Sequence, residues 1–371
     1  MDINKLSQSS GDNSTQMQAG TIINYNTTIT GIDEERARNI CREEYALARQ
    51  NWTNEAFIIA DERVHELESR LMPKMVAYDK SLMFFADPSF QLTLRNAMIS
   101  AATSERESDY DLLTELLLHR VEQGKDRERV LGINKAIEVV NQVTEEALIG
   151  LTIVYVVFKF VPVSNDVTTG LEVLNELYGN IIDNRSLPSG EDWMEHLDLL
   201  SAIRLGSKGF SKFKSMDEII PSLLSKYLIS GIDINSEIYI EIKNEFEKNG
   251  IPTNCFISYP LKSDYEYLEL PSNVEQIVIS RKMADGSILE EHLNNQQKEV
   301  MNKAISISLK DESNDQSLKN KLLEIWDLYP NLKKVKDWFS SLSCHFSITP
   351  VGKALANAYA QEKDPNVPSL Y

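Results

Sequence analysis

The segment Ala147 to Val163, ALIGLTIVYVVFKFVPV, limits what this chain can fold into more than any other. Its seventeen residues carry one charge, Lys159, and close around Pro162. A membrane-spanning helix needs about 20 apolar residues, and a shorter run is more often a helix buried in a core. Thr144 ahead of Glu145 and Glu146 reads as an N-cap with an acidic first turn, an ordinary start for such a helix. A helix that is apolar all round must be enclosed all round. The rest of the chain is therefore expected to supply a shell, and membrane contact is expected only after a conformational change that frees this segment.

There is enough chain to build that shell. At 371 residues, with 42% apolar and 25% charged side chains, it falls in the globular class and has room for two or three domains. Its 56 acidic and 38 basic residues leave a formal charge of −18, which repels polyanions, so nucleic acid is a disfavoured partner. Three widely spaced cysteines, Cys41, Cys255 and Cys344, form no CxxC pair and suit a reducing compartment. The opening MDINKLSQSSGDNS has neither a basic n-region nor an apolar h-region, so a cytoplasmic location is expected.

Ahead of the helices lies a polar arm, residues 1–31. Within it, residues 21–30 read as a β-strand, being β-branched and aromatic, free of proline and bounded by Gly20 and Gly31. One strand without a neighbouring hairpin partner is not stable alone. Ile22, Ile23, Asn24, Tyr25, Asn26, Thr28 and Ile29 are therefore candidates for pairing with copies of themselves, where amide side chains can form ladders. A helix over about 32–50 follows, then a longer one from Thr53. Phe57, Ala60, Val64, Leu67 and Leu71 recur at alternating spacings of three and four, and Met75, Tyr78, Leu82 and Phe85 continue the stripe to the end of the region 32–86. The four-residue step from Leu71 to Met75, beside Pro73, reads as a stutter. Such a stripe fits a coiled coil, with Phe57, Val64, Leu67 and Leu71 as assembly residues, or a helix packed on its own domain.

The expected fold is mainly α: a long amphipathic helix and a helical array, a smaller α+β C-terminal part with a winged-helix-like option, and the short N-terminal β arm. Helices are expected over about 88–104, capped by Asp87, and near 109–123, 128–142, 145–161, 167–182, 190–204 and 216–229, giving a helical domain over 87–230. Residues 231–371 form the α+β part. It holds strands at 256–259 and 274–280, a turn at Asp285-Gly286, and a capping-box match at Ser287–Glu290 that predicts a helix to about Ile305. Helices at about 318–328 and 331–342, a strand at 344–348 and a last helix capped by Thr349-Pro350 complete it.

No stretch carries a recognisable reaction. His65, His119, His196, His292 and His345 lack metal-ligand spacings, and no nucleophile elbow or phosphate loop occurs. Hence no catalytic residue, cofactor or metal is assigned, and the reading leans away from an enzyme. The loop from Arg204 to Lys214 is the one cationic candidate. Arg204, Lys208, Lys212 and Lys214 alternate there with glycines and phenylalanines and are candidates for an anion or nucleic-acid contact, against the plainer reading of a solvated basic loop. Lys333, Lys334 and Lys336 beside the strand–helix ending invite the same question.

Four stretches together resemble an uncharacterised bacterial family known only by locus-tag names. They are Gly11 to Gly20 leading into the strand, Phe85 to Gln91 with Leu94-Arg95-Asn96-Ala97, Asp111 to Leu117 with Asn134 to Glu138, and Ile348 to Gly352. The first also resembles the front of many otherwise different bacterial proteins, several linked to anti-phage defence, which implies a portable assembly element. The resemblance implies no activity and no catalytic residues. The expectation from the whole is a self-assembling, non-enzymatic interaction protein of anti-phage defence or a mobile element, a homo-oligomer with room for a protein partner. The alternatives are a membrane-perturbing effector using 147–163 and an enzyme with an unrecognised site.

Overall fold

A computed structural model of the chain describes residues 31–48, 52–124, 126–206, 213–269, 273–282 and 288–369. The arm strand at 21–30 and its seven candidate pairing residues lie outside them, as does the turn expected at Asp285-Gly286. The described residues are mainly helical, with fourteen α-helices and seven short strands.

The first helices follow the caps. α1 (Glu34–Ala48) and α2 (Asn54–Tyr78, capped by Thr53) form a hairpin on α3 (Pro88–Thr103), whose cap is Asp87 with Pro88 in the first turn. The stripe of α2 faces its own chain: Ala60, Val64, Leu67, Leu71 and Met75 are buried, and Phe57 is half-buried against Tyr45. α2 packs on α3 and on α4 (Ser108–Glu122), and Arg70 locks it to α4 through Asp111 at 2.7 Å and Glu107 at 2.8 Å. The stripe does not run to Phe85 as one helix. The Asp79 carboxylate accepts from Ser81 N at 2.8 Å and Ser81 Oγ at 2.6 Å, Leu82 turns left-handed at φ 48°, and Phe85 reaches the core from a 3₁₀ turn.

Two helices sit at the centre. α6 (Glu145–Lys159) begins at its Thr144 cap, and every residue from Ala147 to Val157 is buried. The apolar run leaves the core at its end, where Val161 and Val163 are 43% and 96% exposed. The second is α14 (Pro350–Lys363), capped by Thr349 and buried from Ala354 to Ala360. Its alanines and Gly352 let α4, α5 (Arg127–Val139) and α6 close directly on its backbone. α7 (Val167–Ile182), α8 (Asp192–Leu199) and α9 (Met216–Leu223) complete the shell with α12 (Gln316–Trp326) and α13 (Pro330–Ser340).

The helix expected over 190–204 stops at Leu199. Ser201 turns at φ 61°, and β1 (Ile203–Leu205) pairs antiparallel with β7 (Phe346–Ile348). The strand before α14 thus finds its partner far away in sequence, and the pair is not a hairpin wing. Of residues 231–371, only 232–304 build a separate small core. It contains the sheet β2-β4-β3 (Ile232–Asp233, Tyr265–Leu268, Phe256–Ser258), α10 (Glu237–Lys248) and α11 (Asn295–Ser308). Residues 318–367 pack back into the main core. The capping box expected at Ser287–Glu290 is also corrected: Ile288–His292 is β6, paired with β5 (Val278–Lys282), and the box is Asn294 with Gln297. A strand needs a partner, and the pairing with β5 outweighs a local match of four residues.

Among the buried polar groups, His119 is 1% exposed, with Nε2 on Gln361 Oε1. Burial holds its pKa below the usual 6.5, although Gln361, Glu122 and Glu115 pull it up. An unfolded His119 takes up a proton more readily than the folded one, so stability falls as pH drops through 6.5. The share from one group is at most about 1.4 kcal/mol per pH unit. His119→Gln is therefore expected to flatten the loss in urea midpoint between pH 7.5 and 5.5. An unchanged pH dependence would show that His119 is not the group responsible.

Candidate functional site at the junction of the inserted module

The module 232–308 is inserted between α9 and α12, and the chain passes to and from it through two adjacent crossings. Ser230 N donates to Lys310 O and Gly231 N to Ser308 O, both at 3.0 Å, and Glu312 N returns to Leu228 O at 2.9 Å. Gly231 has φ 63° and lies between the rings of Tyr259 and Tyr265, where a Cβ would stand 3.1 and 3.3 Å from ring carbons. Only glycine meets both demands.

Beside these crossings a cavity of about 560 Å³ opens between body and module, and a more polar one of about 780 Å³ adjoins it at Ser225 and Ser313. Junctions of this kind are preferred places for ligands. Three tyrosines line the first cavity, and each donates to a main-chain carbonyl: Tyr227 to Ser164 O at 2.9 Å, Tyr259 to Tyr227 O at 2.8 Å, Tyr267 to Asn165 O at 3.2 Å. Burial pushes all three phenols above their usual range. Lys226 Nζ donates to Pro162 O and to Ser164 O at 2.7 Å and lies 4.8 Å over the Tyr227 ring; partial burial lowers its pKa. The Asp311 carboxylate accepts from Ser313 N at 2.8 Å, which lowers its pKa. These groups tether the α6–α7 loop and the 3₁₀ turn Ser225–Tyr227 to the module. Their hydroxyls hold carbonyls in place, and their arrangement is that of a joint.

The residues singled out by sequence are dispersed. Val64, Leu67 and Leu71 are in the core of α2, α3 and α4. Arg204 is exposed on β1 and bonds its neighbour's carbonyl, Ile203 O, at 3.1 Å. Lys214 is exposed, while Lys208 and Lys212 lie outside the described residues. Phe213 between them is not a ligand contact: it packs among Phe339, His345 and Phe346, with centroids 4.6 to 5.2 Å apart. The lysines near the last strand are engaged as well. Lys336 bridges Asp217 at 3.3 Å and Asp327 at 3.0 Å, Lys333 pairs with Asp337 at 3.4 Å, and Lys334 bonds Arg185 O at 2.7 Å. Among the described residues no group of three His, Cys, Asp or Glu could hold a metal ion, and no helix is long and apolar enough to cross a membrane. Burial pushes the Cys41 thiol up to about 12, which keeps it protonated and unreactive. Sequence reading missed the joint, because Lys226, Tyr227 and Tyr267 grip carbonyls of the α6–α7 loop that lie 62 to 102 residues away in the chain.

A family model described only by a locus-tag-like "-like" label, with no activity attached, matches residues 31–368. No curated protein and no solved structure matches the chain.

Proposed function

The chain belongs to that uncharacterised bacterial family, since the match spans residues 31–368, and on this premise we propose a non-enzymatic interaction protein that assembles with copies of itself through residues 21–30. The observation that carries the reading is how the body begins. Ile32 N donates to Ser81 O at 2.7 Å, and a Cβ at Gly31 would lie 3.1 Å from the same carbonyl. The family match starts at this same pinned residue, so the arm precedes the shared body and departs from a fixed point. Ser81 stands between Tyr78 and Met83, which are 49% and 40% exposed. Ten residues in extended form reach roughly 33 Å, enough to leave one body and meet another. The reading rests on the arm and not on the α2 stripe, which its own chain covers.

The joint supports the non-enzymatic side of the proposal, because its hydroxyls and its lysine are committed to backbone carbonyls. The setting we propose is the bacterial cytoplasm, in anti-phage defence or a mobile element, on the resemblance of the opening segment to the front of proteins linked to such defence. Light scattering on the full chain and on a chain beginning at Gly31 tests the assembly. An oligomer is expected for the first and a monomer for the second. Equal masses for the two would refute assembly through the arm.

A further inference from the structure

We propose that the cleft where the first turns of α5 and α14 meet the end of α6 binds a phosphate-bearing small molecule. The cleft encloses about 520 Å³ and is lined by Tyr155 and Lys159 of α6, Pro350 and Lys353 of α14, and Asp126, Glu128 and Arg129 at the start of α5. That volume suits a ligand the size of a sugar phosphate or nucleotide.

The charge of this cleft is opposite to that of the chain. In a protein of net charge −18 it gathers three cations. Lys159 and Lys353 form no ion pair with any described carboxylate, although most other lysines here do. Two carboxylates face them. Asp126 is already committed: its Oδ1 caps α5 by accepting from Glu128 N at 3.1 Å and Arg129 N at 3.2 Å, and its Oδ2 holds Arg129 at 3.1 Å. Glu128 is exposed at the rim.

Tyr155 is the second and independent observation. It is 3% exposed, its ring is set edge-on to Phe160 with centroids 6.1 Å apart, and its hydroxyl makes no hydrogen bond among the described residues. Although the residue is buried, its hydroxyl oxygen is not sealed off, so it opens onto the cleft where an incoming acceptor can meet it. The other walls of that cleft carry cations. A phosphate oxygen would accept from the Tyr155 hydroxyl and lie among the ammonium groups of Lys159 and Lys353, as charge-assisted hydrogen bonds require. Burial holds the phenol up at about 12, so it remains a donor at neutral pH.

The test is calorimetric titration of the full chain with inorganic phosphate and, separately, with a nucleoside 5′-monophosphate, against sodium chloride at matched ionic strength. Saturable binding of phosphate is expected, weakened roughly tenfold or more in Tyr155→Phe and in Lys353→Gln, the size of one hydrogen bond to a charged group. Tighter binding of the monophosphate would identify an organic phosphomonoester as the ligand, and equal binding would identify phosphate itself. Because the Tyr155 hydroxyl has no internal bond to lose, Tyr155→Phe is expected to keep the wild-type unfolding midpoint, so its affinity reads the site and not the fold. No saturable heat beyond that of chloride, or undiminished binding by Tyr155→Phe, would overturn the proposal.

Discussion

Val154→Asp is expected to abolish cooperative folding. Val154 is 1% exposed in the middle of α6, with buried residues on every side of that helix. A carboxyl placed there finds no partner. It must carry its charge into an apolar interior or take up a proton and remain an unbonded polar group, which costs about 4 kcal/mol or more. Folded domains have only about 5–15 kcal/mol in total, so the substitution removes a large part of it. Val163→Asp, in the same apolar run, is the matching control: at 96% exposed it is expected to shift stability by no more than about 0.5 kcal/mol. Urea unfolding followed by far-ultraviolet circular dichroism reads both. A Val154→Asp transition at the wild-type midpoint would mean that α6 borders water and is not a core helix.

Gly352→Ala should rank next. A Cβ on Gly352 would overlap the Ala202 carbonyl oxygen, and that oxygen also accepts from Thr349 N at 3.0 Å and Thr349 Oγ1 at 2.9 Å. Both sides of the clash are backbone held by the β1–β7 pair and the cap of α14, so neither can yield without breaking one of them. Forced overpacking of this kind costs about 3 kcal/mol. Gly190→Ala separates this steric effect from backbone preference. Gly190 has φ +75° and open space around it, so its loss is about 1 kcal/mol from the left-handed backbone alone. Equal losses at the two positions, measured by thermal unfolding, would remove the clash as the cause.

The parts of this architecture that were legible in advance are those written in local chemistry. Thr144, Asp87-Pro88 and Thr349-Pro350 mark helix starts because an N-cap needs only its own next three residues. The apolar run is interior from Ala147 to Val157, where eleven successive residues leave no face for water. The centre of the body was not legible in the same way. α14 reads as an unremarkable last helix, since alanines give little hydrophobic signal, yet small residues are what allow three helices to approach it. Strands of two to four residues, such as β2 and β4, are too short to show a period. The choice between a coiled-coil seam and an internal one was also open in sequence, because both use the same spacing. Only the presence of α3 and α4 against the stripe decides it for Val64, Leu67 and Leu71.

The candidate sites were legible least of all. The cleft takes Tyr155 and Lys159 from α6, Arg129 from α5 and Lys353 from α14, so no window of sequence contains them together. The basic loop after Arg204 attracted notice because its cations are neighbours. Cations adjacent in sequence are usually a solvated surface, whereas those that fold together from distant helices leave no mark until the helices pack.

The central place of α14 also bears on the order in which the body can form. α4, α5 and α6 are synthesised early, and the helix that fills the space between them follows about two hundred residues later. Until Pro350–Lys363 has emerged from the ribosome, their inner faces have nothing to close on. Were α4, α5 and α6 to pack before that point, they would leave between them an apolar groove in the shape of the chain's own later segment.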